Sequence, residues 1–205
     1  MTKIKLCGLS RPCDVEAANA LMPDYIGFVF FPRSKRCVTA EQAAALKALL
    51  VPGIKAVGVF VDEAPEAVAA LLAQGIIDAA QLHGHEDGEY IRKLRQLTDR
   101  PIIQAFRVSS EESLADVEQS SADFVLLDSG MGSGQAFDWT LIEAVRRPYF
   151  LAGGLGIDNV AAAIQTLRPY GVDVSSAIET GAYKDKDKMA AFVAAVRKED
   201  SSDQS

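Results

Sequence analysis

The chain has 205 residues, 49% of them hydrophobic, which suits one domain with a full apolar core. Its net charge of −7 and pI of ≈ 4.9 create an overall field that repels nucleic acid and anionic membrane, although a local basic site for a small anion is still compatible with it. Three cysteines, Cys7, Cys13 and Cys37, cannot all pair and match no zinc spacing. The amino terminus lacks a secretory apolar stretch and no run is long enough to span a membrane. The expectation is a soluble, cytoplasmic protein with reduced thiols and no nucleic-acid or membrane partner.

Short strand-like runs begin near Lys3, Tyr25, Ile54, Asp78, Pro101, Ala122, Tyr149 and Gly171, and each interval leaves room for one helix. Thr39-Ala-Glu-Gln42 and Ser109-Ser-Glu-Glu112 have the capping-box form, in which a hydroxyl and an amide or carboxyl satisfy orphan backbone donors. Pro65 falls where a first-turn proline is tolerated, and Asp158 is placed to cap the helix that follows the seventh strand. Runs such as Tyr25-Ile-Gly-Phe-Val-Phe30 and Ala56-Val-Gly-Val-Phe-Val61 are almost wholly apolar, as expected of parallel strands covered on both faces.

Eight strand–helix units in strict alternation predict an α/β, single-domain (β/α)8 TIM barrel over residues 1–197. An open doubly wound sheet is the alternative, but eight strands in this length without a second domain fit closure better. The polar stretch 198–205 is expected to be a disordered tail.

In such a barrel the chemistry sits on the loops after the strands. Cys7 ends the first strand, before Gly8, and Asp128 ends the sixth. A buried cysteine is ordinarily a small hydrophobe, and an aspartate there can simply anchor a loop. The two together form a candidate proton-transfer pair.

The seventh strand leads into Ala152-Gly153-Gly154-Leu155-Gly156 and the eighth into Val174-Ser175-Ser176-Ala177. Loops in these two places often form a phosphate site from backbone N–H groups and a helix start. The sixth loop, Ser129-Gly-Met-Gly-Ser-Gly134, has no lysine and is no P-loop; we read it as a cover over the site. Arg33, Lys35 and Arg36 form a basic patch after strand two, and an arginine there has the fork to grip a carboxylate. His83 and His85, two apart on a strand, point to opposite faces and make a poor metal pair. His83 is a candidate substrate contact.

Together these segments resemble the phosphoribosylanthranilate isomerase family of tryptophan biosynthesis. The resemblance rests on Lys5-Leu-Cys-Gly-Leu9, Gly27-Phe-Val-Phe30, Arg36, Gln81-Leu-His-Gly84, Leu127-Asp128, Phe137-Asp-Trp139, Ala152-Gly-Gly-Leu155, Gly171-Val-Asp-Val-Ser-Ser176 and Glu179. The sequence departs from the family pattern at Met131, Gln135 and Ala177. The resemblance implies an Amadori rearrangement of N-(5-phosphoribosyl)anthranilate with Asp128 as general acid and Cys7 as general base. It also implies Arg36 on the anthranilate carboxylate and backbone donors near Gly153, Gly154, Ser176 and Ala177 on the phosphate. An iminium would be the electron sink, so no metal or cofactor is implied, and monomer and homodimer are both compatible.

Two rival readings remain. One is the histidine-pathway sugar-phosphate isomerase, which would place an aspartate where Cys7 stands. The other is a non-catalytic phosphate-binding barrel, which would have no use for the Cys7–Asp128 pair. An ordinary cysteine is only about 3% thiolate at neutral pH, so Cys7 needs roughly 2 kcal/mol of favourable surroundings, and Lys5 is a nearby cation that can contribute.

Overall fold

A computed structural model describes residues 1–108, 111–128 and 139–202. Strands β1 (Lys3–Cys7), β2 (Tyr25–Val29), β3 (Lys55–Phe60), β4 (Ala79–Leu82), β5 (Ile102–Arg107), β6 (Phe124–Asp128), β7 (Tyr149–Ala152) and β8 (Gly171–Val174) pair in sequence order. Every pairing is parallel, and β8 returns to β1, so the sheet is the closed barrel that the alternation of runs predicts.

Helices α1 (Pro12–Leu21), α2 (Ala40–Ala48), α3 (Pro65–Ala73), α4 (Gly88–Leu97), α5 (Glu111–Gln119), α6 (Thr140–Glu143), α7 (Val160–Leu167) and α8 (Lys186–Ser202) follow the strands. Between β8 and α8 the chain makes a 3₁₀ turn (Ser176–Ile178) and a small antiparallel hairpin, β9 (Glu179–Thr180) with β10 (Tyr183–Lys184).

The apolar runs follow from burial on two sides. Ile4, Leu6, Ile26 and Phe28 face the helices and join the large outer core. Tyr25, Val57, Ala79, Ile103, Leu126 and Phe150 fill the barrel interior, where branched and aromatic side chains form packed layers. Near its amino end the interior closes with Phe124 stacked on Tyr170 at 5.1 Å and Phe150 edge-on to Tyr170 at 5.3 Å.

The Thr39 capping box is present: Gln42 N donates to Thr39 Oγ1 (3.2 Å) and Thr39 N to Gln42 Oε1 (2.8 Å). Pro65 opens α3 at its first turn. The box proposed at Ser109 lies outside the described residues. Asp158 does not cap α7, which begins at Val160 with Asn159 before it; the Asn159 side chain turns back into the preceding loop.

α8 continues to Ser202, through part of the stretch expected to fray. Its apolar residues Met189, Phe192, Val193 and Val196 are buried at helical spacing. Further along, Asp200 Oδ1 accepts from the Thr2 backbone N–H and hydroxyl, both at 2.8 Å. That tie to β1 gives the polar segment a reason to stay helical. Among the described residues no helix is long and apolar enough to cross a membrane.

Candidate active site

The barrel register fixes where each strand end lies against its neighbours. Cys7 is opposite Gly27 on β2, while Asp128 is opposite Arg107 on β5 and Ala152 on β7. At this carboxyl end a cavity of ≈ 250 Å³ is lined by Cys7, Gln81, His83, Asp128, Gly153, Gly154, Asp173, Ser175 and Ser176 among others. A wider recess of ≈ 660 Å³ shares His83, Asp128, Gly153, Gly154 and Ser176 and adds Arg107 and His85. The thiol and carboxyl from the two distant strand ends therefore face one space, together with both candidate phosphate loops.

Cys7 is 7% exposed and packs against Gly27, where an added Cβ would come within 2.7 Å of its Sγ. Burial pushes the thiol above its ordinary pKa; Lys5, beneath it on β1, pulls the other way without prevailing. Lys5 thus contributes toward the thiolate, as the sequence suggests, but burial outweighs it. Ser175 Oγ donates to the Cys7 carbonyl at 3.2 Å and ties the eighth loop to the first.

Asp128 is more open than the leucines before it suggest, with 31% of its side chain exposed. His83 Nε2 lies 3.5 Å from Asp128 Oδ2, and Gln81 Nε2 lies 2.9 Å from His83 Nδ1. Gln81 thus holds one side of the His83 ring while Nε2, on the other, faces Asp128. Gln81 itself is 1% exposed, and its Oε1 has no hydrogen-bond partner among the described residues. His83 and His85 both lie beyond the end of β4 rather than on a strand; His85 is 94% exposed, pairs with Asp62 and lines only the wider recess. No cluster of three or more metal-ligating side chains occurs among the described residues.

Arg36 crosses Gly8, whose φ of +83° and lack of Cβ make the approach feasible: a Cβ there would lie 2.4 Å from Arg36 Cδ. The guanidinium is already engaged, with Nε and Nη2 donating to the two oxygens of Glu179 at 2.6 and 2.7 Å. It lines neither cavity described above. Two of its five N–H donors are committed to this pair, and three lie beyond it. Arg33 and Lys35 are exposed and stand apart as solvated charge.

Glu179 also accepts from Lys184 Nζ at 2.6 Å, and Lys184 Nζ donates to the Ser175 carbonyl at 2.8 Å. Burial works against the Glu179 carboxylate, but Arg36 and Lys184 outweigh it and hold its pKa below the ordinary value. Burial in turn lowers Lys184. This buried bracket from the β9–β10 hairpin fixes the Ser175–Ser176 loop to Arg36. In the sequence Glu179 stands out only through the family resemblance, and Lys184 has no assigned role there. Their neighbours Thr180, Gly181 and Tyr183 are exposed, so no run of apolar residues marks the pair.

In the seventh loop Gly153 and Gly154 have φ of +83° and +69°, conformations that side chains rarely adopt. Asn159 braces the loop, its Oδ1 accepting from Gly156 N at 2.8 Å and its Nδ2 donating to the Gly154 carbonyl at 3.0 Å. Ser176 lines both recesses, whereas Ala177 is exposed in the 3₁₀ turn and lines neither. The sixth loop, with Met131 and Gln135, lies outside the described residues.

Comparisons with known proteins agree with this geometry. The family model for N-(5′-phosphoribosyl)anthranilate (PRA) isomerase matches residues 4–195. The N-(5′-phosphoribosyl)anthranilate isomerase of Dechloromonas aromatica is 44% identical over 98% of this chain and 99% of its own. The phosphoribosyl anthranilate isomerase crystal structure from Thermotoga maritima superposes with a TM-score of 0.88 at 35% identity, over 97% of this chain and 100% of its own. A further structure of such an isomerase, in complex with reduced 1-(o-carboxyphenylamino)-1-deoxyribulose 5-phosphate, gives 0.87 at 34% identity, covering 97% of this chain and 100% of that one. With a family model covering nearly the whole barrel and relatives this similar along their full length, the chain belongs to the N-(5′-phosphoribosyl)anthranilate isomerase family.

Proposed function

We propose that the chain converts N-(5-phosphoribosyl)anthranilate into 1-(2-carboxyphenylamino)-1-deoxyribulose 5-phosphate, an Amadori rearrangement in tryptophan biosynthesis. The observation that carries this reading is the single cavity lined by Cys7, Asp128, Gly153, Gly154 and Ser176. A sugar phosphate seated there would have its phosphate at the loops after β7 and β8 and its ring between the thiol and the carboxyl.

Asp128 acts as general acid and protonates the furanose ring oxygen, so the C1–O bond breaks and an iminium forms at C1. Cys7, as thiolate, removes the proton from C2, and the C–H electron pair forms C1=C2 while the iminium π electrons move to nitrogen. The enolamine becomes the ketone when C1 gains a proton and the C2 hydroxyl loses one. Over the cycle the ring oxygen and C1 gain protons, C2 and its hydroxyl lose them, and no net proton is consumed.

The protonated imine carries positive charge close to Cys7. Opposite charge nearby favours the ionised form, so ring opening itself promotes the thiolate that the next step uses. His83, held by Gln81, steadies Asp128 while it donates. Arg36 takes the anthranilate carboxylate with the donors that Glu179 leaves open, and backbone donors around Gly154, Ser176 and Ala177 take the phosphate. The protein works in the cytoplasm.

Fluorescence of the anthranilate-linked substrate follows turnover. Cys7→Ala and Asp128→Asn should each lower kcat by several orders of magnitude, and a loss below about tenfold would refute the assigned proton transfers.

A further inference from the structure

Barrel interiors are ordinarily filled by branched apolar side chains. Here Lys5, fully buried at 0% exposure, points into the barrel from β1, and its Nζ meets Asp173 Oδ1 at 3.0 Å. Asp173 is the register partner of Lys5 on β8 and is 9% exposed. An ion pair withdrawn from water this far contributes little to stability, because desolvation offsets its attraction and apolar residues of similar volume do as well. Its presence in the barrel therefore calls for another reason.

Position supplies one. Lys5 precedes Cys7 by two residues on one strand, so both side chains face inward, one above the other. The lysine's anchor, Asp173, lines the same cavity as Cys7, so the fully buried ammonium is held on the thiol's side of the barrel interior, where its charge favours the thiolate.

The other charged groups around Cys7 have partners of their own. Lys184 on β10 is held by Glu179 and Ser175, and Arg36 from the β2–α2 connection is held by both oxygens of Glu179. Across the cavity His83 faces Asp128. Asp173 works against the thiolate but less strongly than Lys5 works for it.

We propose that Lys5 is a positioning residue for Cys7: anchored by Asp173 inside the barrel, its ammonium stabilises the Cys7 sulfur as the thiolate and keeps it turned toward the cavity. This deepens the reading of Cys7 as the base, yet its test needs no turnover and so fails or succeeds separately from that reading.

The test is the iodoacetamide alkylation rate of Cys7 at pH 8 in the full chain. It is read by mass spectrometry of the Cys7 peptide, because Cys13 and Cys37 are exposed and also react. Lys5→Met should slow Cys7 alkylation by at least about tenfold, the loss of thiolate that one pKa unit represents. Lys5→Arg, which keeps the charge, should stay within about threefold of the parent rate.

A Lys5→Met protein that melts cooperatively and alkylates within about threefold of the parent overturns the proposal. Should that variant not fold, Lys5→Met/Asp173→Asn keeps the interior neutral. Its rate should also fall below the parent's, and a rate at or above the parent's overturns the proposal. Failure of both variants to fold makes Lys5 a structural residue and overturns it as well.

Discussion

Gly27→Ala probes the active site without replacing any group that takes part in chemistry. Gly27 faces Cys7 across the β1–β2 pairing, and its carbonyl accepts from Gly8 N and Leu9 N at 2.9 and 3.0 Å, which fixes the two strands side by side. An alanine Cβ there would stand 2.7 Å from Cys7 Sγ, 3.1 Å from Cys7 Cα and 3.3 Å from Cys7 Cβ.

Nonbonded heavy atoms settle at about 3.5–4.0 Å, so the sulfur must retreat by roughly 1 Å. Rotating the thiol relieves only the first of these three close approaches; relieving the crowding against the Cys7 backbone requires the strands to part. Overpacking of this kind costs about 1–3 kcal/mol of stability, a drop of several degrees in Tm for a chain this size. A reacting group misplaced by about 1 Å loses roughly a hundredfold in rate.

The assay is steady-state turnover of the anthranilate-linked substrate beside a thermal melt. Gly27→Ala should lower kcat about a hundredfold while KM changes little. A kcat within about threefold of the parent would show that the position of the Cys7 sulfur does not govern the reaction, and the reasoning from this packing would fail.

Three further outcomes are expected. Arg36→Ala should mainly raise KM, as loss of an interaction made equally in ground and transition states does, and an unchanged KM would mean the substrate carboxylate is held elsewhere. Asn159→Ala removes the brace between Gly154 and Gly156, so inhibition by inorganic phosphate should weaken by about threefold to tenfold, the range for one or two modest hydrogen bonds. Glu179→Gln should lower Tm near neutral pH. Because the folded-state pKa of Glu179 is depressed, its stabilisation is present above the unfolded carboxylate value and is lost as pH falls through the folded one. The Tm difference between parent and Glu179→Gln should therefore shrink as the medium is acidified below that ordinary value, and a difference that persists or grows would contradict the charge assignment.

The barrel is legible in the sequence because its strands are buried on two faces, so runs such as Ala56–Val61 are apolar throughout and cannot be half-exposed hairpins. The strand-end logic then locates Cys7 and Asp128 without any three-dimensional information. What escapes is whatever depends on pairing across the barrel.

Lys5 reads in the sequence as a cation near Cys7, and only the register with β8 shows that Asp173 is its partner inside the barrel. Arg36 reads as free to grip a ligand because its engagement with Glu179 joins residues 143 positions apart. Asp158 and Asn159 are equally good caps by residue type. The choice falls on Asn159 for a loop role because its amide both donates and accepts, which a carboxylate cannot do.

The most direct measurement is single-turnover conversion of N-(5-phosphoribosyl)anthranilate by the parent chain, Cys7→Ala and Asp128→Asn, followed by loss of substrate fluorescence. Fast conversion by the parent and losses of several orders of magnitude in both variants is the outcome expected from a thiol and a carboxyl acting on one sugar ring. A parent chain that binds the substrate without converting it, or a Cys7→Ala protein that retains a tenth or more of the parent rate, would contradict it.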